Sequence, residues 1–237
     1  MADITPAILV NNYTELKNKV AKVRGISITV QLDICDGGFV GALSWPMDEI
    51  EDINSPFQSI LREEEGLPFW DEIDYELDLM VRKAHKNFDL FLKLGAKKIV
   101  FHLEAEVPNF TDEEILEFKE FLEGIDMYTR DHAQIGLAIN VDTPIQNLEK
   151  LIHNVDYVQC MGIKTIGLQG EPFDERVFDQ IKALRKLYPD LVITVDGGVS
   201  MENAEDLLDL GVSRLIIGSA IFNNDDVRGA IKDFESL

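Results

Sequence analysis

The chain of 237 residues is poor in cysteine, poor in basic residues and free of long apolar runs. Its two cysteines, Cys35 and Cys160, cannot build a disulfide framework, which points to a reducing, cytoplasmic setting. No apolar stretch reaches the roughly 18 residues that a membrane-spanning helix needs. The opening "MADITPAILV" lacks the basic segment of a secretory signal. Lys and Arg number 22 against 44 Asp and Glu, a formal charge of −22. A surface of that sign repels phosphate backbones and anionic lipid, which argues against nucleic acid and membranes as partners. A small phosphorylated ligand stays open, since it needs only a local pocket. Repeats, low-complexity tracts and linkers are missing too, so residues 1–237 read as one domain. Assembly into a homo-oligomer is compatible with all of this.

What the sequence does contain is an alternation. Short β-branched or apolar runs fall at 4–10, 26–35, 75–81, 97–104, 134–140, 156–163, 191–198 and 214–222. Helical patterns lie between them, among them "YTELKNKVAKV", "FDLFLKLG", "TDEEILEFKEFLEGI", "TPIQNLEKLIHNV", "DERVFDQIKALRKL" and "MENAEDLLDLG". Thr111 stands before an acidic first turn, Pro144 opens a helical pattern, and Gly95 and Gly211 close two others. Eight strands alternating with helices in this length predict an α/β fold, a closed (β/α)8 TIM barrel. A doubly wound open sheet is the alternative, but no G-x-G-x-x-G follows the first strand. Residues 41–74, acidic and carrying both tryptophans, exceed a simple strand–helix connection. They predict an insertion with one or two short helices over the top or side of the barrel.

Alternate residues of a barrel strand face inward. If Asp33 faces the axis, Gln31 and Cys35 do as well. Asp78 pairs with Met80 on the third strand, His102 with Glu104 on the fourth, and Thr194 with Asp196 on the seventh. Polar side chains therefore gather near the C-terminal strand ends, where this fold carries its chemistry. Two of the strands, "QLDICDGGFV" and "LVITVDGGVS", each deliver an aspartate beside paired glycines.

These segments resemble the ribulose-phosphate 3-epimerase family along nearly the whole chain. "ITPAIL", "LDICDGGFV", "DLMV", "FHLEA", "IGLAINVDTPIQNLEKLIHNVDYVQCMGI" and "VDGGVSMENAEDLLDLGVSRLIIGSAIF" occur in the family's order. The resemblance implies an isomerase of the pentose phosphate pathway that inverts C3 of a ketopentose 5-phosphate, converting ribulose 5-phosphate to xylulose 5-phosphate. Two aspartates exchange the proton on opposite faces of the sugar, and a divalent metal stabilises the enediolate. The aspartates fall on Asp33 and Asp196. The metal set becomes Gln31, Asp33, Asp78 and Asp196, with Gln31 and Asp78 in place of two histidines. Oxygen-only ligation favours Mg²⁺ or Mn²⁺ over Zn²⁺. Gly197, Gly198, Gly218 and Ser219 take the phosphate of the sugar. Met80, His102, Met161 and Gly167 border the substrate pocket. Two other readings stay open: a non-catalytic phosphosugar-binding relative, and a lyase-type reaction on the same barrel. Lys164, where the family has asparagine, is a candidate source of positive charge in place of a metal.

Overall fold

The computed structural model describes residues 2–237. Eight parallel strands close into a barrel in sequence order: β1 (Asp3–Ile8), β2 (Thr29–Cys35), β3 (Asp74–Met80), β4 (Lys98–His102), β5 (Gln134–Ile139), β6 (Tyr157–Met161), β7 (Ile193–Asp196) and β8 (Arg214–Ile217). β1 pairs with both β2 and β8, which closes the sheet on itself. The fold is the (β/α)8 barrel that the alternation predicts, and the open sheet is excluded.

Outside the strands pack α1 (Tyr13–Val23), α2 (Pro56–Leu61), α3 (Phe88–Leu92), α4 (Leu103–Glu106), α5 (Asp112–Gly124), α6 (Met127–His132), α7 (Arg176–Leu187), α8 (Ala204–Asp209), α9 (Ser219–Phe222) and α10 (Val227–Glu235). The main apolar core lies between strands and helices. Leu32, Leu77, Ile99, Leu137, Val158 and Leu215 point outward from the strands against Leu16, Phe91, Phe118, Ile181 and Ile231 from the helices. Local signals explain several boundaries. Thr111 and Glu114 form a reciprocal capping box at α5. Gly95 and Gly211 follow α3 and α8 at positive φ, a conformation that costs a side chain strain but glycine none.

Two elements differ from the pattern-based expectation, and the 41–74 insertion, which holds a single short helix, falls within it. "TPIQNLEKLIHNV" forms 3₁₀ turns at Ile145–Leu148 and Ile152–Asn154 rather than one helix. Its apolar residues Leu148, Leu151 and Ile152 are buried. Its backbone, however, closes i to i+3 bonds at Asn147, Glu149, Leu151 and Asn154, and asparagine is a weak helix former. The fourth strand ends at His102, and Glu104 sits in α4 and not on the strand. There Glu104 accepts from the Asn140 N–H (2.9 Å) and from the Thr143 hydroxyl. The 41–74 segment contains one helix, α2, and its Trp45 and Phe57 are fully buried in edge-on contact.

The lower half of the barrel interior is polar and closed. The Arg214 guanidinium grips the Glu76 carboxylate with both terminal nitrogens, one at 2.9 Å, and the Tyr157 hydroxyl donates to the same carboxylate at 2.9 Å. Arg214 also stacks over the Tyr157 ring, 5.3 Å from its centroid. All three are buried. Gly136 leaves room for that ring: a Cβ there would lie 2.5 Å from it. A buried pair is costly to break from one side only, because the remaining charge is stranded. Arg214→Met should therefore destabilise the fold by about 3–5 kcal/mol. Adding Glu76→Leu to that variant should recover part of the loss. Urea unfolding of the single and double variants checks this; a double variant no more stable than Arg214→Met would contradict it.

Candidate active site

The strand register brings the inward residues of β2, β3, β6 and β7 together near their C-terminal ends. Asp33 lies opposite Asp78 across the β2–β3 pairing, and Asp196 lies opposite Met161 across β6–β7. The carboxylates of Asp33, Asp78 and Asp196 converge, with one oxygen from each within 4.8 Å of the others. All three residues are buried.

Neutral and cationic groups surround this cluster. Gln31, beneath it, donates its amide Nε2–H to Asp33 Oδ1 (3.0 Å) and to Asp196 Oδ2 (2.7 Å). One amide thus bridges β2 to β7 across the barrel. Gln159 on β6 approaches Asp196 Oδ2 at 3.5 Å. His102 Nε2 lies 2.9 Å from Asp78 Oδ1. Burial pushes the Asp33 carboxyl up to about 7, with the Asp78 charge adding to it and Gln31 opposing. Asp196 is pushed well above the usual carboxylate range, first by burial and then by Asp33 and Asp78. For His102 burial works downward, but the charge and hydrogen bond of Asp78 outweigh it, so the imidazolium is favoured. Burial also raises the Cys35 thiol, followed by the Asp33 charge, which keeps it protonated and unsuited to ligate a metal.

Above the carboxylates sits a cavity with about 50 Å³ of space for water, room for a few molecules. Asp33, Asp78, Met80, Met161, Gly167, Asp196, Gly197, Gly198, Gly218 and Ser219 all line it. Gln31 and His102 do not: Gln31 lies one layer below and His102 sits at the C-terminal end of β4 against Phe39, each in contact with the carboxylates. As placed, Gln31 turns its nitrogen to the cluster, so ligation of a metal would need its oxygen swung round. Lys164 is exposed and absent from the lining; its charge acts on Asp174 instead. Among the described residues, no lysine or arginine lines the cavity. Gln159 and Gln169 were not singled out from the sequence. Strand parity held the signal for Gln159, two residues before Met161 on β6, whereas Gln169 lies in a loop with no periodicity.

Two glycine turns shape one end of the cavity. Gly197 and Gly198 follow β7 at φ +97 and +68, and Gly218 opens α9. The loop 162–175 crosses above them. A Cβ on Gly198 would lie 2.7 Å from the Phe173 backbone, and one on Gly167 would lie 2.7 Å from Val40 in the loop after β2.

A profile of the ribulose-phosphate 3 epimerase family matches residues 3–222. The chain belongs to that family. It is 26% identical over 239 residues to ribulose-phosphate 3-epimerase of Bacillus subtilis, covering 98% of each chain. It is 23% identical over 239 residues to the enzyme of the same name from Aquifex aeolicus, covering 99% of this chain and 96% of that one. Among solved structures, 3-hexulose-6-phosphate synthase from Salmonella typhimurium superposes with a TM-score of 0.63 at 15% identity. That match covers 99% of this chain and 97% of the other, and it shows a shared fold.

The glycine turn after β7 yields a stability test. Gly198→Ala forces a side chain into the left-handed region and against the Phe173 backbone. It should cost at least about 1–3 kcal/mol. An unchanged denaturant midpoint for this variant would refute that account of the turn.

Proposed function

We propose that this chain, acting as one barrel domain, is a cytoplasmic epimerase that inverts C3 of a ketopentose 5-phosphate, interconverting ribulose 5-phosphate and xylulose 5-phosphate. The observation that carries this reading is the pair of buried aspartates, Asp33 and Asp196, delivered by facing strands to the floor of one cavity and bridged by a single amide. Inversion through a planar intermediate needs a proton acceptor on one face of the carbon and a donor on the other. A carboxyl raised to about 7 is suited to both duties near neutral pH, ionised to take the proton and protonated to return it. Burial keeps bulk water from competing for it.

The sugar lies over the carboxylates between Met80 and Met161, and its phosphate sits at Gly197, Gly198, Gly218 and Ser219. Backbone N–H groups of the two glycine turns receive the phosphate there, as is usual for this fold. Room for a sugar comes from movement of the loop 162–175, since the cavity as it stands holds only a few waters.

The donor set suits a hard divalent cation. Asp33, Asp78 and Asp196 offer oxygen ligands within reach of one another, and Asp78 Oδ2 is buried without a hydrogen-bond partner. These three would hold the ion, Mg²⁺ or Mn²⁺ in preference to Zn²⁺, which favours imidazole and thiolate. Bound there, it supplies positive charge next to the negative charge that develops on the sugar oxygens.

Solvent-deuterium exchange at C3 of ribulose 5-phosphate tests the reading. The wild-type chain should exchange. Asp33→Asn and Asp196→Asn keep size and polarity but remove the proton carrier, so each should slow exchange by at least about 10²-fold. A variant that exchanges at the wild-type rate would overturn the two-aspartate mechanism. A wild-type chain that shows no exchange but binds the sugar phosphate would favour the non-catalytic reading.

A further inference from the structure

Gln169 projects from the loop 162–175 into the phosphate end of the cavity. Its residue is exposed at the surface, but its amide reaches inward and donates from Nε2 to the Ala7 carbonyl oxygen at the end of β1, at 3.2 Å. The same nitrogen lies over Gly218: a Cβ on that glycine would be 2.8 Å from it. Gln169 therefore spans from the loop to the two strand ends, β1 and β8, that frame the turn before α9. On the far side the loop rests on Val40 through Gly167. The middle of the loop is thus fastened at two neighbouring points, Gly167 by packing on Val40 and Gln169 by this amide, while Phe173 rests on Gly198 farther along.

The chemistry of the lining gives the amide its importance. Four carboxylates face the cavity, from Asp33, Asp78, Glu171 and Asp196, and among the described residues no lysine or arginine does. An anionic group entering the phosphate end is opposed by that field, and the lining side chains offer it only N–H and O–H donors. Among the lining side chains only Gln169 carries N–H donors, and only Ser219 carries a hydroxyl. Ala7 O is a neutral acceptor; a phosphate oxygen is a charged one and makes the stronger bond.

We propose that Gln169 is a specificity-determining residue for the phosphate group, exchanging its bond to the Ala7 carbonyl for one to a phosphate oxygen when ligand binds. This rests on the assignment of the Gly197–Gly198 and Gly218–Ser219 turns as the phosphate end. The exchange gives the loop a reason to release β1 in the absence of any lining cation and to close again on the anion.

The test compares wild type, Gln169→Ala and Gln169→Glu by calorimetric titration with inorganic phosphate and with ribulose 5-phosphate, and with Mn²⁺ as a control for the carboxylate end. Gln169→Ala should weaken both phosphate ligands by about tenfold or more. Gln169→Glu, which replaces the donor by a fifth carboxylate, should weaken them further. Mn²⁺ affinity should be unchanged, and in turnover KM for the sugar phosphate should rise with kcat nearly constant. Phosphate affinity equal to wild type in both variants would overturn the proposal. Tighter phosphate binding by Gln169→Ala would overturn it as well, since the amide would then be an obstruction. Parallel loss of Mn²⁺ binding would also count against it, as a general disturbance of the mouth. If wild type itself binds neither phosphate ligand at millimolar concentration, the phosphate end is misassigned and both readings fall; insensitivity of the variants alone sinks only the role of Gln169.

Discussion

Three carboxylates buried within 4.8 Å of one another are the constraint around which the barrel mouth is arranged. At an effective dielectric of about 20, two unit charges about 4 Å apart repel by roughly 4 kcal/mol. The fold answers with graded relief. The Gln31 amide donates to two of the aspartates, His102 faces the third, and burial together with mutual repulsion raises the Asp33 carboxyl to about 7 and the Asp196 carboxyl well above the usual carboxylate range. The remaining unsatisfied oxygen, Asp78 Oδ2, leaves room for one more positive partner. A site so composed is poised between holding protons and holding a cation.

The lower half of the barrel solves a different problem. Arg214, Glu76 and Tyr157 fill the core below the site with a paired, hydrogen-bonded network. Charge at the bottom of the barrel is therefore matched on the spot, while charge at the top is left partly unmatched. That asymmetry fits the division of this fold into a stability face and a chemical face.

Much of this was legible in the sequence. The alternation of short strands and helices leads to the closed barrel, and the period of two in β2, β3 and β7 places Gln31, Asp33, Asp78 and Asp196 on one face. What period alone does not carry is which inward residues meet across the barrel, because that depends on strand stagger. The Gln31–Asp196 and Arg214–Glu76 contacts join residues 165 and 138 positions apart. Element ends were the second blind spot. Glu104 shares parity with His102 in the sequence, but the strand stops at His102 and the next turn swings the carboxylate to Asn140 and Thr143. Gln169 lies in a loop, where no periodicity reports on direction; its contacts with Ala7 and Gly218 emerge only in the folded chain.

Calorimetric titration of chelator-treated protein tests most directly whether the Asp33–Asp78–Asp196 cluster is a hard-cation site. The wild-type chain should bind Mn²⁺ and Mg²⁺ with little preference for Zn²⁺, and Asp78→His should shift the preference toward Zn²⁺. No detectable heat with Mn²⁺ or Mg²⁺ at millimolar concentration in the wild-type chain would contradict the claim.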